Sequence, residues 1–237
     1  MSGQLRLSGG MRLQSPTGSH TRPTTGRVRG AVMNLLSGRL QGCHWLDLCS
    51  GSGVMGCEAL RRGASLVVAV ERDQRTARIC AANLKATSKG LSHPHEIRIF
   101  PKELLSWLKR GRQNHGLCVG LSSELASEEA TGLSCSKSKQ DVSEEPLSEE
   151  NVSEEASADE KTGAAQAGFD LVYLDPPYNS DLYRPALSAL LQGDWLNRDA
   201  LVICELDASN MFSAPDPWQE QDQRIYGNTA IRLISLR

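Results

Sequence analysis

Residues 44–56 read HWLDLCSGSGVMG, an apolar run that passes directly into a glycine-rich turn. The apolar run His44–Cys49 predicts a buried strand, and Val54–Arg62 predicts the helix that follows it. Gly51 and Gly53 let the backbone turn tightly and leave room for a ligand to approach closely. A strand, a glycine-rich turn and a helix in this order are typical of the edge at which open α/β sheets bind ligands.

The rest of the ordered chain alternates between apolar strands and helices. The other predicted strands are Leu66–Glu71, Glu96–Phe100, Asp170–Leu174, Ala200–Glu205 and Ala230–Leu236. The other predicted helices are Gly26–Leu40, Gln74–Ala86, Lys102–Lys109 and Tyr183–Leu191. Strands that are apolar throughout and separated by helices indicate an α/β fold, with a parallel sheet covered by helices on both faces. Before this core, Leu5–Leu13 with its Gly9-Gly10 turn predicts a small hairpin.

Residues 116–168 interrupt this pattern with a strongly acidic segment. Between positions 117 and 168 there are 12 Asp and Glu residues and three Lys residues, which give a net charge of −9. Such a segment buries too little apolar surface to offset the entropy of ordering, so we predict that it is disordered. We therefore expect one domain over residues 44–237, interrupted at 116–168, preceded by a basic hairpin and helix over residues 1–43.

The net charge of −2 conceals a basic first half of the chain. The first 112 residues hold 18 Lys and Arg against six Asp and Glu, and the first acidic residue is Asp47. This distribution predicts attraction to a polyanion such as nucleic acid. No apolar run is long enough for a membrane helix, and the seven cysteines form no CxxC pair. We therefore expect a cytoplasmic protein without a membrane anchor, a disulfide framework or a metal site.

Two carboxylates flank the glycine-rich turn in the predicted sheet. Asp47 lies at the end of the first strand, and Glu71 ends the second strand, where a carboxylate can accept hydrogen bonds from both ribose hydroxyls. Gly51, Gly53 and Gly56 fit the GxGxxG pattern of nicotinamide dinucleotide sites, but Asp47 would repel a pyrophosphate. The cationic amino-acid tail of S-adenosylmethionine suits a carboxylate at this position. A third alternative is that Asp47 merely caps the turn.

The predicted strand Asp170–Leu174 ends in the tetrapeptide Asp175-Pro176-Pro177-Tyr178. Two prolines fix the backbone and remove two amide donors, which leaves rigid carbonyls free to accept hydrogen bonds. The Asp175 side chain and the Pro176 carbonyl can hold both hydrogens of an exocyclic base amine, while Tyr178 stacks on the base. The alternative is a proline-rich turn in which Asp175 caps the next helix. A position on the same sheet as the Asp47 loop favours methylation of an amine.

The two motifs together resemble the amino-group methyltransferases of nucleic acids, which have a Rossmann-like fold with a seven-stranded sheet. Further segments resemble the RsmD family within that class. They are Arg6-Leu7-Ser8-Gly9-Gly10, residues 21–29 (TRPTTGRVR) and residues 226–231 (YGNTAI), which resemble the family's last hairpin. The resemblance covers residues 5–112 and 169–236. The chain departs from the family in its acidic insertion, in Phe100-Pro101, where methyltransferases often have an acid or Asn, and in Tyr178, where the family often has Phe.

The resemblance implies an S-adenosylmethionine-dependent enzyme that methylates N(2) of one guanine in bacterial 16S ribosomal RNA. The partner would be that RNA or a small-subunit assembly particle, and we expect a monomer. The resemblance also favours keeping the basic opening in the mature protein, against the alternative of an organelle transit peptide. A DNA adenine methyltransferase, which can use the same tetrapeptide, and a non-catalytic RNA-binding assembly factor are the alternative functions.

The candidate site residues fall into three groups. The catalytic residues are Asp175, Pro176, Pro177 and Tyr178. The cofactor-binding residues are Thr21, Thr24, Asp47, Ser50, Gly51, Ser52, Gly53, Glu71, Arg72, Phe100 and Pro101. The RNA-binding residues are Arg6, Arg12, Arg22, Arg27 and Arg29. Phe100 is equally compatible with a core position. Guanidinium groups suit bidentate phosphate contacts, although a solvated helix face is the alternative for the arginines.

Overall fold

The computed structural model of the chain describes residues 4–16, 24–117, 168–177 and 180–237. Its strands are β1 His44–Leu48, β2 Leu66–Val70, β3 Glu96–Phe100, β4 Phe169–Leu174, β5 Leu196–Asp207, β6 Trp218–Tyr226 and β7 Thr229–Leu236. Its helices are α1 Gly26–Leu35, α2 Val54–Arg61, α3 Gln74–Ser88, α4 Leu104–Leu108 and α5 Tyr183–Gln192. The strands form one sheet in the order β3-β2-β1-β4-β5-β7-β6, which confirms the predicted seven-stranded α/β fold.

The first five strands are parallel, whereas the last two are not. β1 pairs with β2 and β4, β2 with β3, and β4 with β5, all in parallel register. β7 pairs antiparallel with both β5 and β6, so the parallel sheet predicted from the alternation of strands and helices is wrong at this end, where residues 226–231 form the turn of a hairpin and the start of β7. The physical reason is the two-residue connection Gly227-Asn228 between β6 and β7, because a turn this short joins only antiparallel strands.

Each face of the sheet carries its own hydrophobic core. Trp45 and Tyr173 lie in the core that also contains buried residues of α1, α2 and α3. Leu46 and Leu174 lie in the core with buried residues of α4 and α5. Successive side chains of a strand point to opposite faces, so neighbouring residues of β1 are buried in different cores. Burial on both faces explains why the central strands are apolar throughout.

The N-terminal segment belongs to the first of these cores. Leu5, Leu7 and Leu13 are buried there. The chain reverses between them, and one antiparallel bridge joins Arg6 to Arg12 in the predicted hairpin. The described residues before position 44 therefore share a hydrophobic core with the sheet.

Two predicted helices are shorter in the structure. α1 ends at Leu35 because the chain tightens into a 3-10 turn at Ser37–Arg39. α4 begins at Leu104 because Glu103 caps it, accepting hydrogen bonds from the amides of Leu105 and Ser106 at 2.9 and 2.8 Å.

The structure describes the predicted disordered segment only at its two ends. The segment predicted to be disordered spans residues 116–168, of which residues 118–167 lie outside the described residues. Its first flank is ordered, contrary to the prediction, because Leu117 is 2% exposed and packs in the core that contains Leu46. Among the helices that the structure describes, none combines the length and the apolar character needed to cross a membrane.

Candidate functional site

The carboxyl ends of three neighbouring strands bring predicted residues to one edge of the sheet. Asp47 in β1 lies opposite Ala69 of β2 and Tyr173 of β4. Glu71 directly follows β2, and Asp175 directly follows β4. Because parallel strands end at a common edge, three carboxylates gather where open α/β sheets bind their ligands.

Asp47 is a buried carboxyl group with a raised pKa. Its residue is 2% exposed, and its Oδ2 accepts a hydrogen bond from the Gly56 amide at 3.2 Å. Burial raises the pKa of Asp47 to about 7, the Gly56 amide lowers it in part, and the charge of Glu71 raises it further. A carboxylate desolvated in this way is stabilised by a nearby cation. Asp47, which was predicted to bind an ammonium group, is therefore a buried carboxyl group whose charged form such a cation would stabilise.

Glu71 fixes the glycine-rich loop. One of its carboxylate oxygens accepts a hydrogen bond from the Gly51 amide at 3.0 Å, and the other accepts from the Asp73 amide at 2.9 Å. Each carboxylate oxygen has a further lone pair, so hydroxyl donors of a ligand can still bind. The neighbouring Arg72 is exposed at the start of the segment that leads to α3.

The loop between β1 and α2 depends on two glycines in the left-handed conformation. Gly51 has a φ of 52° and Gly53 a φ of 73°. A Cβ atom at Gly53 would lie 2.6 Å from Sγ of Cys80, whereas one at Gly51 would meet nothing within 4 Å. The space beside Gly51 therefore gives a ligand access to the backbone, while Gly53 is needed for packing.

Two serines of the same loop are held through their backbones. The Ser50 amide donates to the Val70 carbonyl of β2 at 3.0 Å. The Ser52 carbonyl accepts a hydrogen bond from Nδ2 of Asn83 in α3 at 2.9 Å. The loop is thus anchored to the sheet on one side and to α3 on the other.

The proline turn, residues 175–177, lies beside this loop. The Asp175 amide donates to the carbonyl of the last residue of β1 at 3.4 Å. Pro176 is buried and Pro177 is exposed. The Ser180 amide donates to the Pro177 carbonyl at 3.2 Å, which closes the turn. Tyr178, which we predicted to stack on a base, lies outside the described residues.

A cavity of about 360 Å³ lies next to the segment that follows the proline turn. Tyr183 and Phe212 form its aromatic wall, with ring centroids 5.1 Å apart and ring planes 22° apart. Its polar and charged lining residues are Ser180, Asp181, Arg184, Asp207 and Asn210. Aromatic surface combined with several hydrogen-bonding groups suits a planar polar ligand such as a nucleobase.

Glu205 is a further carboxylate at this edge, which the sequence patterns did not single out. It is 4% exposed and accepts hydrogen bonds from Oγ1 of Thr24, at 3.1 Å, and from the Tyr173 hydroxyl. Its backbone carbonyl accepts a hydrogen bond from the Tyr183 hydroxyl at 2.5 Å. Tyr173 precedes the proline turn and Tyr183 follows it, so Glu205 holds both sides of the turn. A carboxylate ending an otherwise apolar strand was the signal that could have revealed it.

Several residues that were predicted to bind the cofactor contact other residues or solvent in the structure. Thr24 is 7% exposed and directs its hydroxyl to the carboxylate of Glu205. Phe100 is half-buried, with its ring centroid 5.1 Å from that of Trp107, which favours its core alternative. Pro101 is exposed. Thr21 lies outside the described residues.

The predicted RNA-binding arginines differ in their exposure. Arg6, Arg12 and Arg27 are exposed. Arg6 directs one guanidinium nitrogen to the Gly10 carbonyl at 3.1 Å, within the hairpin turn. Arg22 lies outside the described residues.

Arg29 is not on the surface. It is 7% exposed, and its guanidinium donates to the Thr24 carbonyl at 2.9 Å and to the Arg6 carbonyl. Its Nε lies 3.9 Å from Oε1 of Glu58, a fully buried carboxylate of α2. Contrary to the prediction, Arg29 is not available to a phosphate group, because it joins α1 to the N-terminal hairpin inside the protein.

The groups of the site that could in principle coordinate a metal ion are carboxylates, backbone carbonyls and buried thiols. Over the described ranges, no cluster of three or more His, Cys, Asp or Glu side chains is arranged to hold a metal ion. Burial raises the pKa of Cys57, below the loop, to about 12, so this thiol is protonated at neutral pH. The edge therefore offers negative charge and hydrogen-bond acceptors to an organic cation.

Comparison with known proteins identifies the family. A family model described as conserved hypothetical protein 95 matches residues 1–115 and 127–235. The chain belongs to this family. Two relatives named ribosomal RNA small subunit methyltransferase D confirm the resemblance to the RsmD family that the motifs indicated.

These relatives are distant in sequence but similar in length. The Escherichia coli K12 protein is 23% identical over 237 residues, which covers 98% of this chain and 90% of that protein. The Haemophilus influenzae protein is 25% identical over 212 residues, which covers 90% of this chain and 81% of that protein. The solved structure of the Escherichia coli protein yhhF matches with a TM-score of 0.64 at 22% identity, covering 99% of this chain and 98% of that one. At this identity the structural match supports the fold.

Proposed function

We propose that the protein transfers a methyl group from S-adenosylmethionine to ribosomal RNA of the small subunit, at the exocyclic N(2) amine of a guanine. The observation that carries the proposal is the meeting of two motifs at one edge, where the Asp175 amide bonds the end of β1 beside the Asp47 loop. The RNA substrate is inferred from the relatives, which are named as methyltransferases of small-subunit ribosomal RNA. The proposal includes a monomeric, cytoplasmic enzyme that acts on free RNA or on an assembly particle.

The residues of the edge fit S-adenosylmethionine. The buried carboxylate of Asp47 would pair with its ammonium group, and the open space beside Gly51 admits the ligand to the backbone. Glu71 retains lone pairs for the ribose hydroxyls after binding the Gly51 and Asp73 amides. A nicotinamide dinucleotide would instead bring a pyrophosphate against Asp47. When bound, S-adenosylmethionine supplies an electrophilic methyl group on a sulfonium.

The proline turn would orient the amine that accepts the methyl group. The nitrogen lone pair of an exocyclic base amine is delocalised into the ring, so the free amine is a weak nucleophile. The Asp175 carboxylate and the Pro176 carbonyl would accept its two hydrogens and draw them out of the ring plane. This localises the lone pair and holds the nitrogen for attack, a contribution of positioning and electrostatics. The Asp175 carboxylate would also accept the proton that the amine loses when the N–C bond forms.

The cavity beside the turn would receive a nucleotide that has left its stack. Enzymes that modify a base extrude it from a duplex or act on unpaired nucleotides. Tyr183 and Phe212 offer aromatic surface there, and Asn210 offers hydrogen-bonding groups that can read the edge of a base.

A methylation assay tests the proposal. Small-subunit RNA and small-subunit particles from cells that lack the protein are incubated with the protein and S-adenosylmethionine carrying a tritiated methyl group. Digestion to nucleosides is expected to place the label in N(2)-methylguanosine at one position. Label that appeared only in duplex DNA would establish the alternative DNA adenine methyltransferase and refute the RNA assignment.

A substitution at Asp175 distinguishes a methyltransferase from a non-catalytic RNA-binding assembly factor. Asp175→Ala is expected to lower the transfer rate by at least 100-fold, while Asp199→Ala, which alters an exposed acid in β5, is expected to have no effect. Unchanged RNA methylation by Asp175→Ala would contradict the catalytic role of the proline turn. RNA binding without any transfer by the unaltered protein would favour the non-catalytic assembly factor.

A further inference from the structure

Every charged residue of α3 is basic. Arg75, Arg78, Lys85 and Lys89, which we call the basic ridge, are exposed. Their spacing places them within one face of the helix, opposite the buried residues of α3, such as Cys80 and Leu84. The helix Gln74–Ser88 contains no acidic residue. The ridge extends about 21 Å from Arg75 to Lys89 at 1.5 Å per residue.

The cations of the basic ridge are not neutralised within the described part of the chain. No ion pair there involves any of the four residues. Asp73, the N-cap, lies close enough to Arg75 to interact with it, but its carboxylate accepts the Thr76 amide at 2.8 Å. Surface helices usually mix both charges at i,i+3 and i,i+4 spacing, because like charges at these positions destabilise the helix.

The helix dipole makes the position of Arg75 less favourable still. Arg75 lies in the first turn of α3, where the N-terminal end of the dipole is positive and favours acidic side chains. The first turn of α3 contains no acid. Lys85, in the last turn, and Lys89, the C-cap, are instead favoured by the dipole. The like charges spaced three and four residues apart and the position of Arg75 remain unfavourable for the helix, which favours a role in binding an anion over a purely structural one.

The position of α3 joins the basic ridge to the candidate site. Asn83, in the middle of α3, donates to the Ser52 carbonyl of the glycine-rich loop at 2.9 Å. The same side chain accepts the Gln14 amide at 2.8 Å and donates to the Gln14 carbonyl at 2.9 Å. Arg12, two residues before Gln14, is exposed in the hairpin. The buried side chain of Asn83 thus joins α3 both to the glycine-rich loop and to Gln14, which directly follows the hairpin.

We propose that the basic ridge of α3 binds the phosphate groups of the RNA that flanks the target nucleotide. This inference rests on the proposed function, because it takes RNA as the substrate. An exposed row of cations matches the repeated negative charges of a nucleic-acid strand. α3 is separated by three residues from the end of β2, at the carboxyl edge of the sheet, so the RNA backbone follows α3 while its target base enters the site. Arg29, buried below the hairpin, takes no part in it.

Neutralising the middle of the ridge tests this role. Arg78→Gln combined with Lys85→Gln keeps two good helix formers on an exposed face, so the melting temperature is expected to stay unchanged. The affinity for purified small-subunit ribosomal RNA is expected to fall at least tenfold at about 50 mM salt. The slope of log affinity against log salt concentration is expected to become shallower by about one to two. The affinity for S-adenosylmethionine, measured by calorimetry, should not change.

A matched control removes the same number of charges elsewhere. Arg110→Gln combined with Arg198→Gln alters two exposed cations that follow α4 and lie in β5. This variant is expected to bind the RNA as the unaltered protein does, with the same salt dependence. An equal loss in both variants would mean that only net charge matters and would overturn the assignment to α3.

Methylation by the unaltered protein separates this inference from the proposed function. If that protein methylates small-subunit RNA and the ridge variant binds the RNA with unchanged affinity and slope, the ridge assignment is wrong and the function stands. If the unaltered protein neither binds nor methylates the RNA, both fail together. Weaker binding by the ridge variant alone, with normal transfer at saturating RNA, supports the inference.

Discussion

Oγ1 of Thr24 donates a hydrogen bond of 3.1 Å to Oε2 of Glu205, 181 positions further along the chain. This contact joins the residue just before the cap of α1 to the end of β5. Glu205 also accepts the hydroxyl of Tyr173, which lies two residues before Asp175. Burial and the charge of Glu205 raise the pKa of Tyr173 well above its usual value, so its hydroxyl keeps the proton that it donates. The basic N-terminal segment is therefore coupled to the strand that carries the proline turn.

Loss of the Thr24 hydroxyl should weaken methyl transfer without unfolding the protein. Thr24→Val removes one hydrogen bond to a carboxylate, about 1–2 kcal/mol, so we expect kcat/KM for RNA to fall roughly fivefold to thirtyfold. Thr24→Ser keeps the hydroxyl and should restore most of the activity. The measurement is methyl transfer to small-subunit RNA beside a thermal melt. Equal activity of Thr24→Val and the unaltered protein would show that this contact does not serve the site.

Binding of S-adenosylmethionine should release a proton near neutral pH. Burial raises the pKa of Asp47 to about 7 from a usual value of 3.8, so much of this carboxyl is protonated at pH 7 in the free protein. An ammonium group beside it favours the carboxylate and lowers this pKa. Affinity should therefore rise as the pH increases from 6 to 8. Calorimetry in buffers of different ionisation enthalpy measures the release directly.

Asp47→Asn provides the control for this linkage. It should bind S-adenosylmethionine roughly tenfold to a hundredfold more weakly at pH 8, since the ligand cation loses its partner. The part of the proton release that comes from Asp47 should disappear. In the free protein a raised carboxyl pKa makes stability fall as the pH rises from the usual value of 3.8 to about 7, so the unaltered protein should lose more stability than Asp47→Asn over that range. Identical pH profiles would contradict the buried position of Asp47.

The two loop glycines should respond differently to the same substitution. Gly53→Ala places a Cβ atom 2.6 Å from Sγ of Cys80 and forces a left-handed alanine, so we expect a loss of about 3 kcal/mol in stability. Gly51→Ala meets no atom within 4 Å and should cost only about 1 kcal/mol. Its methyl group nevertheless enters the space assigned to the ligand, so affinity for S-adenosylmethionine should fall. Denaturant titration and calorimetry together separate the two effects.

The order of strands and helices was predictable because each central strand is buried on both faces and is therefore apolar throughout. Leu66–Val70 is the clearest example, since all five of its residues are buried. β6 was not predicted as a strand, because it is polar from Gln219 to Arg224 and lies at the edge of the sheet, where only Trp218 of its residues is buried. The Gly227-Asn228 turn makes β6 antiparallel to β7, and this turn is a signal of only two residues.

The positions of candidate site residues were predictable where a residue belongs to a strand–turn motif. Asp47, Glu71 and Asp175 were found in this way, because each lies at the end of a recognisable strand. Arg29 could not be placed, because its burial depends on carbonyls of Thr24 and Arg6 that no local pattern brings near it. Long-range contacts of this kind require the tertiary structure.

Glu58 should make the protein sensitive to acid. Burial alone would raise the pKa of Glu58, but hydrogen bonds from the Ser8 amide, Arg62 and the Ser8 hydroxyl hold it below the usual 4.5. A lowered carboxyl pKa adds stability above the unfolded value, and that stability is lost as the pH falls through the folded pKa. The free energy of unfolding should therefore decrease more steeply below pH 4.5 than it does for Glu58→Gln. Urea titrations of both proteins from pH 6 to pH 3 provide the comparison, and parallel curves would exclude this role.

Replacing residues 119–166 by a short Gly-Ser linker should leave the fold intact. The residues on either side of this segment are held by the main body: Arg112 binds the Leu117 carbonyl at 3.3 Å, and Asn197 binds the Gly168 amide at 2.5 Å. Arg112 also donates to the Asp194 carbonyl at 2.8 Å, so the first flank is fixed to the connection between α5 and β5, whereas the second is fixed to Asn197 of β5. We therefore expect the melting temperature and the affinity for S-adenosylmethionine to be retained.

The same deletion should strengthen RNA binding at low salt. It removes all 12 acidic residues of the segment together with three lysines and changes the net charge from −2 to +7. Long-range repulsion of RNA is then lost, and because salt screens this repulsion, the gain should vanish above roughly 0.5 M salt. Titration of small-subunit RNA at several salt concentrations measures the effect. An affinity equal to that of the full chain at every concentration would mean that the acidic segment neither competes with RNA nor repels it.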